Sequence, residues 1–345
     1  MNVGSIGLVL ASATSLSNVA LDVSRKKALE GRNLLRTTFL LRVATAFFIT
    51  IVLLVRWGVG YAPHFWPDSL PPNALSFMPP AGIYFFYLVL DSTLITINIV
   101  LYNRAVQVSP LSLTIPFLAF TPVFLLGTGY VILGEIPTLL KCEGIVFVVL
   151  GSLLMHRRSF LKGFFEPFRV VFRERGSRYM LAVSLIFSIT NPVDKKLVQI
   201  SDSYTYSWAY AMMSVLIFGV PVLYRYIRRT TDHAPVRKKW IVITGFTDSL
   251  TLMLQLATLR FTDVVICIAL KRAGIVLTVI AGWLIFREKQ ITDRLIAAAV
   301  MLVGALMVYL PMTFSEQMVV TVLTLIGLAV ALYATRNIGA DAVTV

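Results

Sequence analysis

The chain has 345 residues, 57% of them hydrophobic and 14% charged, with a mean hydropathy of +0.81. Soluble domains carry about 25% charged residues, so a soluble globular protein is excluded and the chain reads as an all-α polytopic membrane protein. The net charge of +14 is concentrated in short loops between apolar runs, which points to membrane topology and anionic lipid headgroups rather than to nucleic acid.

Apolar run length, broken at charge and proline clusters, predicts the spans in chain order. The opening MNVGSIGLVLASATSL lacks a basic leader and reads as part of a first span, about 3–23, rather than a cleaved signal peptide. That span ends VALDVSRKKAL, with Asp22 and then Arg25, Lys26 and Lys27. Span 2 covers about 37–55, followed by a proline-rich loop whose Phe65 and Trp66 suit an interfacial belt. Span 3, about 81–102, contains Asp91 near mid-depth. Span 4 covers about 110–133 and has Glu135 at its boundary; span 5 covers about 143–155. A basic linker, HRRSFLKGFFEPFRVVFRERGSR, then reads equally as a segment along the membrane surface or as an ordinary loop. Span 6 (about 179–193) ends ITNPVDKKLV; span 7 covers about 205–223, and span 8 (about 240–259) contains Asp248 and Gln255. Span 10 covers about 294–311, and a further apolar run at 318–335 is long enough to be an eleventh.

The organising stretch is span 9, VVICIALKRAGIVLTVIAGWLIFREK, residues 264–289. Lys271 and Arg272 lie well inside it. A cation in hydrocarbon costs on the order of 3 kcal/mol, so both must face protein or water. Two readings stay open: a functional site, or a structural pair with a buried carboxylate.

With ten spans, the odd-numbered loops carry 22 Lys and Arg against 5 in the even-numbered loops, which places the amino terminus outside. The two halves repeat their signals. Spans 1 and 6 both end in a polar turn followed by two lysines. Spans 3 and 8 carry DSTL and DSLT. Spans 4 and 9 end GYVILGEIPT and GWLIFREKQIT, each followed by a span with a late glycine, Gly151 and Gly304. Five spans per half is an odd number, so the halves must sit in opposite orientations, which predicts an inverted-topology repeat of the kind that alternating-access transporters use. The boundaries expected are 1–156 for the first repeat, 157–178 for the linker, 179–311 for the second repeat and 312–345 for a carboxyl-terminal extension. Asp91, Asn98, Asp248, Gln255, Lys271 and Arg272 are the predicted central residues, for substrate or a proton.

Two stretches carry a family resemblance: SPLSLTIPFLAFTPVFLLGTGYVILGEIPT with CEGIVFVVLGSLL, and VVICIALKRAGIVLTVIAGWLIFREKQIT with AAAVMLVGALMVYL. In combination they resemble the drug/metabolite transporter superfamily, EamA-like type, over roughly residues 1–311. The resemblance implies ten spans in two inverted repeats, a central cavity from spans 1–4 and 6–9, peripheral spans 5 and 10, and both termini in the cytoplasm. It also implies secondary transport of small metabolites or drugs without ATP. The Lys271–Arg272 pair is similar to the paired cations with which relatives among the phosphate-sugar and nucleotide-sugar translocators hold an anionic headgroup. The span-4 lysine of the phosphate translocators is absent, since that region reads LTIPFLAF.

The remaining residues are structural on this reading. Glu135 and Glu288 suit caps or salt bridges with Lys141, Arg287 or Lys289. Pro116, Pro122 and Pro192 kink helices. Tyr204, Tyr206, Trp208 and Tyr210 suit an interfacial belt better than a substrate wall. Cys142 and Cys267 have no metal or disulfide spacing, the three histidines fall in loops, and no nucleotide or catalytic motif is present. The expectation is therefore a secondary transporter without cofactor, metal or enzymatic activity. It would sit in the cell (plasma or inner) membrane among anionic lipids, with a small-molecule substrate and a proton or a second substrate as counter-transported species. The alternative is a non-transporting scaffold or lipid-binding regulator acting through the basic linker.

Overall fold

The computed structural model describes residues 3–62, 80–133, 139–154, 169, 172–228, 236–261, 264–288, 291–309 and 312–336. Among them every regular element is helical. The helices are α1 (Val3–Leu29), α2 (Leu34–Gly58), α3 (Pro80–Val108) and α4 (Leu111–Thr114), a 3-10 segment (Ile115–Phe120), then α5 (Thr121–Leu133) and α6 (Leu139–Leu154). After the linker come α7 (Arg175–Ile200), α8 (Ser203–Ile227), α9 (Lys238–Phe261), α10 (Val264–Phe286), α11 (Ile291–Tyr309) and α12 (Phe314–Arg336). Among the described residues, five stretches are long and apolar enough to cross a membrane: Leu34–Gly58, Ala81–Val108, Ser203–Ile227, Lys238–Leu259 and Phe314–Ala331.

The packing is inverted relative to a soluble protein. Phe47, Phe86, Leu216, Val220 and Leu323 are exposed, while Asp22, Asp91, Asn98, Asp194 and many serines and threonines are buried. Such a surface suits hydrocarbon, and a polar interior in hydrocarbon must satisfy itself.

Two expected span ends are corrected. Span 1 does not stop at 23, because α1 runs to Leu29 and takes Asp22 and Arg25 into the protein. Span 6 does not stop at 193, because α7 passes through Pro192 to Ile200 and buries Asp194. Both expected ends lie where charge begins, but these charges have partners inside the fold.

Span 4 is a broken helix. Pro110 precedes α4, Pro116 lacks the N–H an α-turn needs, and the backbone tightens into the 3-10 segment before Pro122 opens α5. Ile115 and Leu118 of that segment face the central cavity. Irregular backbone at such a place is tolerated where it lines a cavity.

The helices pair across the two halves of the chain. α1 packs on α9 and α10, α3 on α7 and α8, α2 on α8 and α9, and the broken span on α7. α6 packs along α11 at glycine contacts: a Cβ on Gly304 would lie 2.6 Å from the Gly144 carbonyl oxygen, so the backbones meet there directly. α12 lies on α11 and is tied to α6, where Gln317 Nε2 and Thr321 Oγ1 donate to Glu143 at 2.9 and 2.5 Å. Most of its large apolar side chains remain exposed. Glu135 and most of the basic linker lie outside the described residues.

Candidate functional site

A central cavity of about 120 Å³ lies between helices from both halves. One water needs about 10–15 Å³ on this scale, so there is room for several waters or a small solute. Its charged walls are Asp22 and Arg25 from α1, Arg42 from α2, Asp194 from α7, Asp248 from α9 and Lys271 from α10. Three cations and three carboxylates thus surround one small volume.

The best-compensated of these is Asp248. Arg25 NH2 lies 3.2 Å from one carboxylate oxygen and Arg42 NH2 2.7 Å from the other, and the Thr45 hydroxyl donates to the second oxygen at 2.8 Å. Both arginines also lie over aromatic rings, Arg25 4.7 Å from the centre of Tyr102 and Arg42 5.8 Å from that of Tyr210. Asp22 accepts from Tyr102 Oη at 2.5 Å and from Thr278 Oγ1 at 3.5 Å, which joins α1 to α3 and α10. Lys271 donates to Gln255 Oε1, and its ammonium lies 5.8 Å from the centre of the Phe187 ring. Gly274, one turn from Lys271, admits α1: a Cβ there would meet Ser15 Oγ at 2.6 Å.

A second carboxylate pair stands at the back of the cavity. Asp194 lines it, while Asp91 is fully buried behind it. The Tyr206 hydroxyl lies between them, 2.6 Å from Asp194 Oδ1 and 2.8 Å from Asp91 Oδ2. Asp91 Oδ1 is buried without a hydrogen-bond partner among the described residues.

A charged latch joins helix ends beyond the cavity lining. Glu288 follows Arg287, whose left-handed backbone (φ 51°) ends α10 and turns the chain back. The Glu288 carboxylate accepts from the backbone N–H groups of Leu111 and Ser112 at 2.8 and 2.9 Å and from the Ser112 hydroxyl, which caps the broken span. It pairs with Lys26 at 2.9 Å and Arg294 at 3.6 Å. Burial pushes its pKa up, but the Lys26 ammonium and Ser112 outweigh this and hold it below the ordinary value. Glu174 does the same for α7, accepting from Ser177 N and from the Ser109 hydroxyl; these bonds overcome burial and lower its pKa too. Glu288 is thus a cap and an ion-pair partner, as expected; its partners among the described residues are Lys26 and Arg294, while Lys289 lies outside them.

Of the predicted central residues, Asn98, Asp248, Gln255 and Lys271 line the cavity and Asp91 sits behind its wall. Arg272 is on α10, but its side chain lies outside the described residues. Sequence reading missed Asp22, Arg25, Arg42, Asp194 and Tyr206. Arg42 was a lone cation inside an apolar run, a signal equal to that of Lys271. The aromatic belt is corrected in part: Tyr206 and Tyr210 are buried, and Tyr210 faces the cavity.

A solved crystal structure, titled only as that of a protein, aligns with a TM-score of 0.57 at 13% identity, covering 89% of this chain and 97% of that one. At that identity the likeness is one of fold. No curated protein sequence matches the chain. The sequence pattern of the EamA-like transporter family matches twice, at residues 5–157 and 175–310, so that both halves of the chain carry it. This polar-cored helical membrane protein, with a charged cavity between its two halves, belongs to the EamA-like transporter family.

Proposed function

We propose that the chain is a secondary transporter that carries a small charged metabolite through the central cavity by alternating access. The observation that carries this is the cavity itself, which is small, polar, charge-balanced and built from both halves. Two inverted five-helix repeats, 1–156 and 179–311, with ten spans and α12 as an eleventh, fit the pairing of helices. Such a repeat relates the packing of α1 on α9 to that of α7 on α3, and the packing of α2 on α9 to that of α8 on α3; both members of each pair occur. Lys271, hydrogen-bonded to Gln255 and sharing the cavity wall with Asn98, is the contact for an anionic group. Asn98 Oδ1 is buried on the cavity wall without a partner among the described residues, an acceptor open to solute or water. Asp248, held by two guanidiniums, serves as an anchor between α1, α2 and α9 rather than as a proton carrier. The latch of Lys26, Glu288 and Arg294 ties helix ends together on one face. That face is the cytoplasmic one by the loop charge, and the membrane is that of the cell surface.

The test is a thermal-shift screen of the purified chain against amino acids, phosphorylated sugars, nucleotides and cationic drugs, followed by flux of any stabilising compound into liposomes. A ligand at about 100 times its Kd should stabilise by roughly 2.7 kcal/mol. Loss of that shift in Lys271→Ala, with the fold retained, supports the assignment. Binding unchanged in Lys271→Ala removes the lysine from the site, and a stabilising compound that never crosses the liposome membrane sinks the transport reading.

A further inference from the structure

The contacts around Tyr206 do not balance if both neighbouring aspartates are ionised. A phenol has one proton to donate. Its oxygen lies within hydrogen-bond distance of two carboxylate oxygens, Asp194 Oδ1 at 2.6 Å and Asp91 Oδ2 at 2.8 Å. If the proton points to one, the other contact sets lone pair against lone pair unless that carboxyl carries its own proton and donates. Asp91 and Tyr206 are buried and do not line the cavity, so water does not take up the difference between them.

The surroundings decide which aspartate is neutral. Asp194 opens on the cavity and feels the Lys271 ammonium on α10. Asp91 is fully enclosed, and its second oxygen has no partner among the described residues. Among the described residues, the remaining titratable groups facing the three do not supply Asp91 with a countercharge. Tyr84 comes from its own helix and Tyr210 from α8. Arg42 from α2, which lies over Tyr210, is paired with Asp248 of α9. A bare carboxylate in such a place is costly, whereas a carboxylic acid donating to Tyr206 is satisfied.

We propose that Asp91, Tyr206 and Asp194 form a proton site, in which Asp91 stores a proton that the phenol relays to the cavity through Asp194. The transfer balances without any other reactant. The Asp91 carboxyl gives its proton to the Tyr206 oxygen as the phenol gives its own to Asp194. Asp91 becomes the carboxylate, Asp194 the acid, and the tyrosine is regenerated. With the proton on Asp194, Lys271 faces one carboxylate fewer, which favours an anion in the cavity. That last coupling rests on the transporter reading above; the proton site itself does not.

The experiment therefore needs no substrate. Infrared spectra of the full chain in lipid nanodiscs are recorded near neutral pH, with the C=O stretch of protonated carboxyls as the readout. The wild type minus Asp91→Asn difference should contain that band; its absence means that Asp91 is ionised and overturns the proposal. On transfer to D2O the band should show its isotope shift promptly in wild type. In Tyr206→Phe, and separately in Asp194→Asn, the band should remain but the prompt shift should be lost. Should one variant not fold, the other decides. If a folded variant exchanges as fast as wild type, the relay is overturned. Failure of the solute screen above leaves these readouts intact, so the two readings fail separately.

Discussion

Asp91 and Asp248 begin as equivalents. Each is followed by serine, in the DSTL and DSLT stretches, at matching places in the two halves. Folding gives them opposite surroundings. Asp248 is held between two guanidiniums and a threonine hydroxyl, while among the described residues Asp91 meets one phenol and no cation. The difference lies in helices other than their own: α1 and α2 deliver Arg25 and Arg42, whereas α7 and α8 deliver Asp194 and Tyr206. A charge cancelled by arginine is fixed. A charge cancelled by a proton can be changed, and that asymmetry between halves is where a coupled function would reside.

Substitutions can break this contrast. The largest effect is expected from Asp248→Ala, which leaves two buried guanidiniums without their carboxylate; loss of a buried partner costs about 3–5 kcal/mol, read as a fall in melting temperature. Arg42→Met leaves Asp248 with Arg25 alone and should cost about 1.5–3 kcal/mol, the range for a hydrogen bond to a charged group. If Asp248→Ala proves milder than Arg42→Met, the anchor assignment is wrong.

Glu288 sharpens the comparison at the membrane edge. Its folded pKa is depressed, as is that of Glu174. Their contribution is therefore complete above the ordinary glutamate value, about 4.3, and is lost as the pH falls through their lower folded values. Melting temperature should drop over that window, and the drop should be shallower in Glu288→Gln. That variant should itself lose about 1 kcal/mol near neutral pH, as for a weakened cap. A wild-type profile flat from neutral pH down to about 3 would contradict the latch geometry. The smallest effect is expected at Asp91→Asn, below about 1 kcal/mol, because an amide can still donate to Tyr206. A loss there as large as that of Asp248→Ala would make Asp91 a structural ion and erase the contrast.

Much of the architecture was legible in the sequence because apolar run length and helix length report the same constraint, and helices stand at all ten expected spans and at the extra run. The site was legible only in part. Lys271, Asp248, Asn98 and Gln255 stood out as polar residues inside apolar runs. Asp22, Arg25 and Asp194 did not, because each lies where hydropathy falls and where a span ends by that measure. Hydropathy weighs a residue alone, whereas Tyr102, Asp248 and Tyr206, from distant parts of the chain, make those charges tolerable. The role of Tyr206 had no local signal, since an aromatic at a helix start looks the same in a belt or between two carboxylates.

The anchoring of α12 has a consequence for biogenesis. Glu143, near the start of α6, finds its partner Gln317 only 174 residues later in the chain. During synthesis α6 therefore precedes by far the helix that satisfies its carboxylate, and Glu143 waits at the headgroups or with water until α12 arrives. A ribosome that stops after the second repeat leaves this acid without its donors. Docking of α12 on α6 is thus a late step of assembly, and its failure is the kind of lesion that membrane quality control detects.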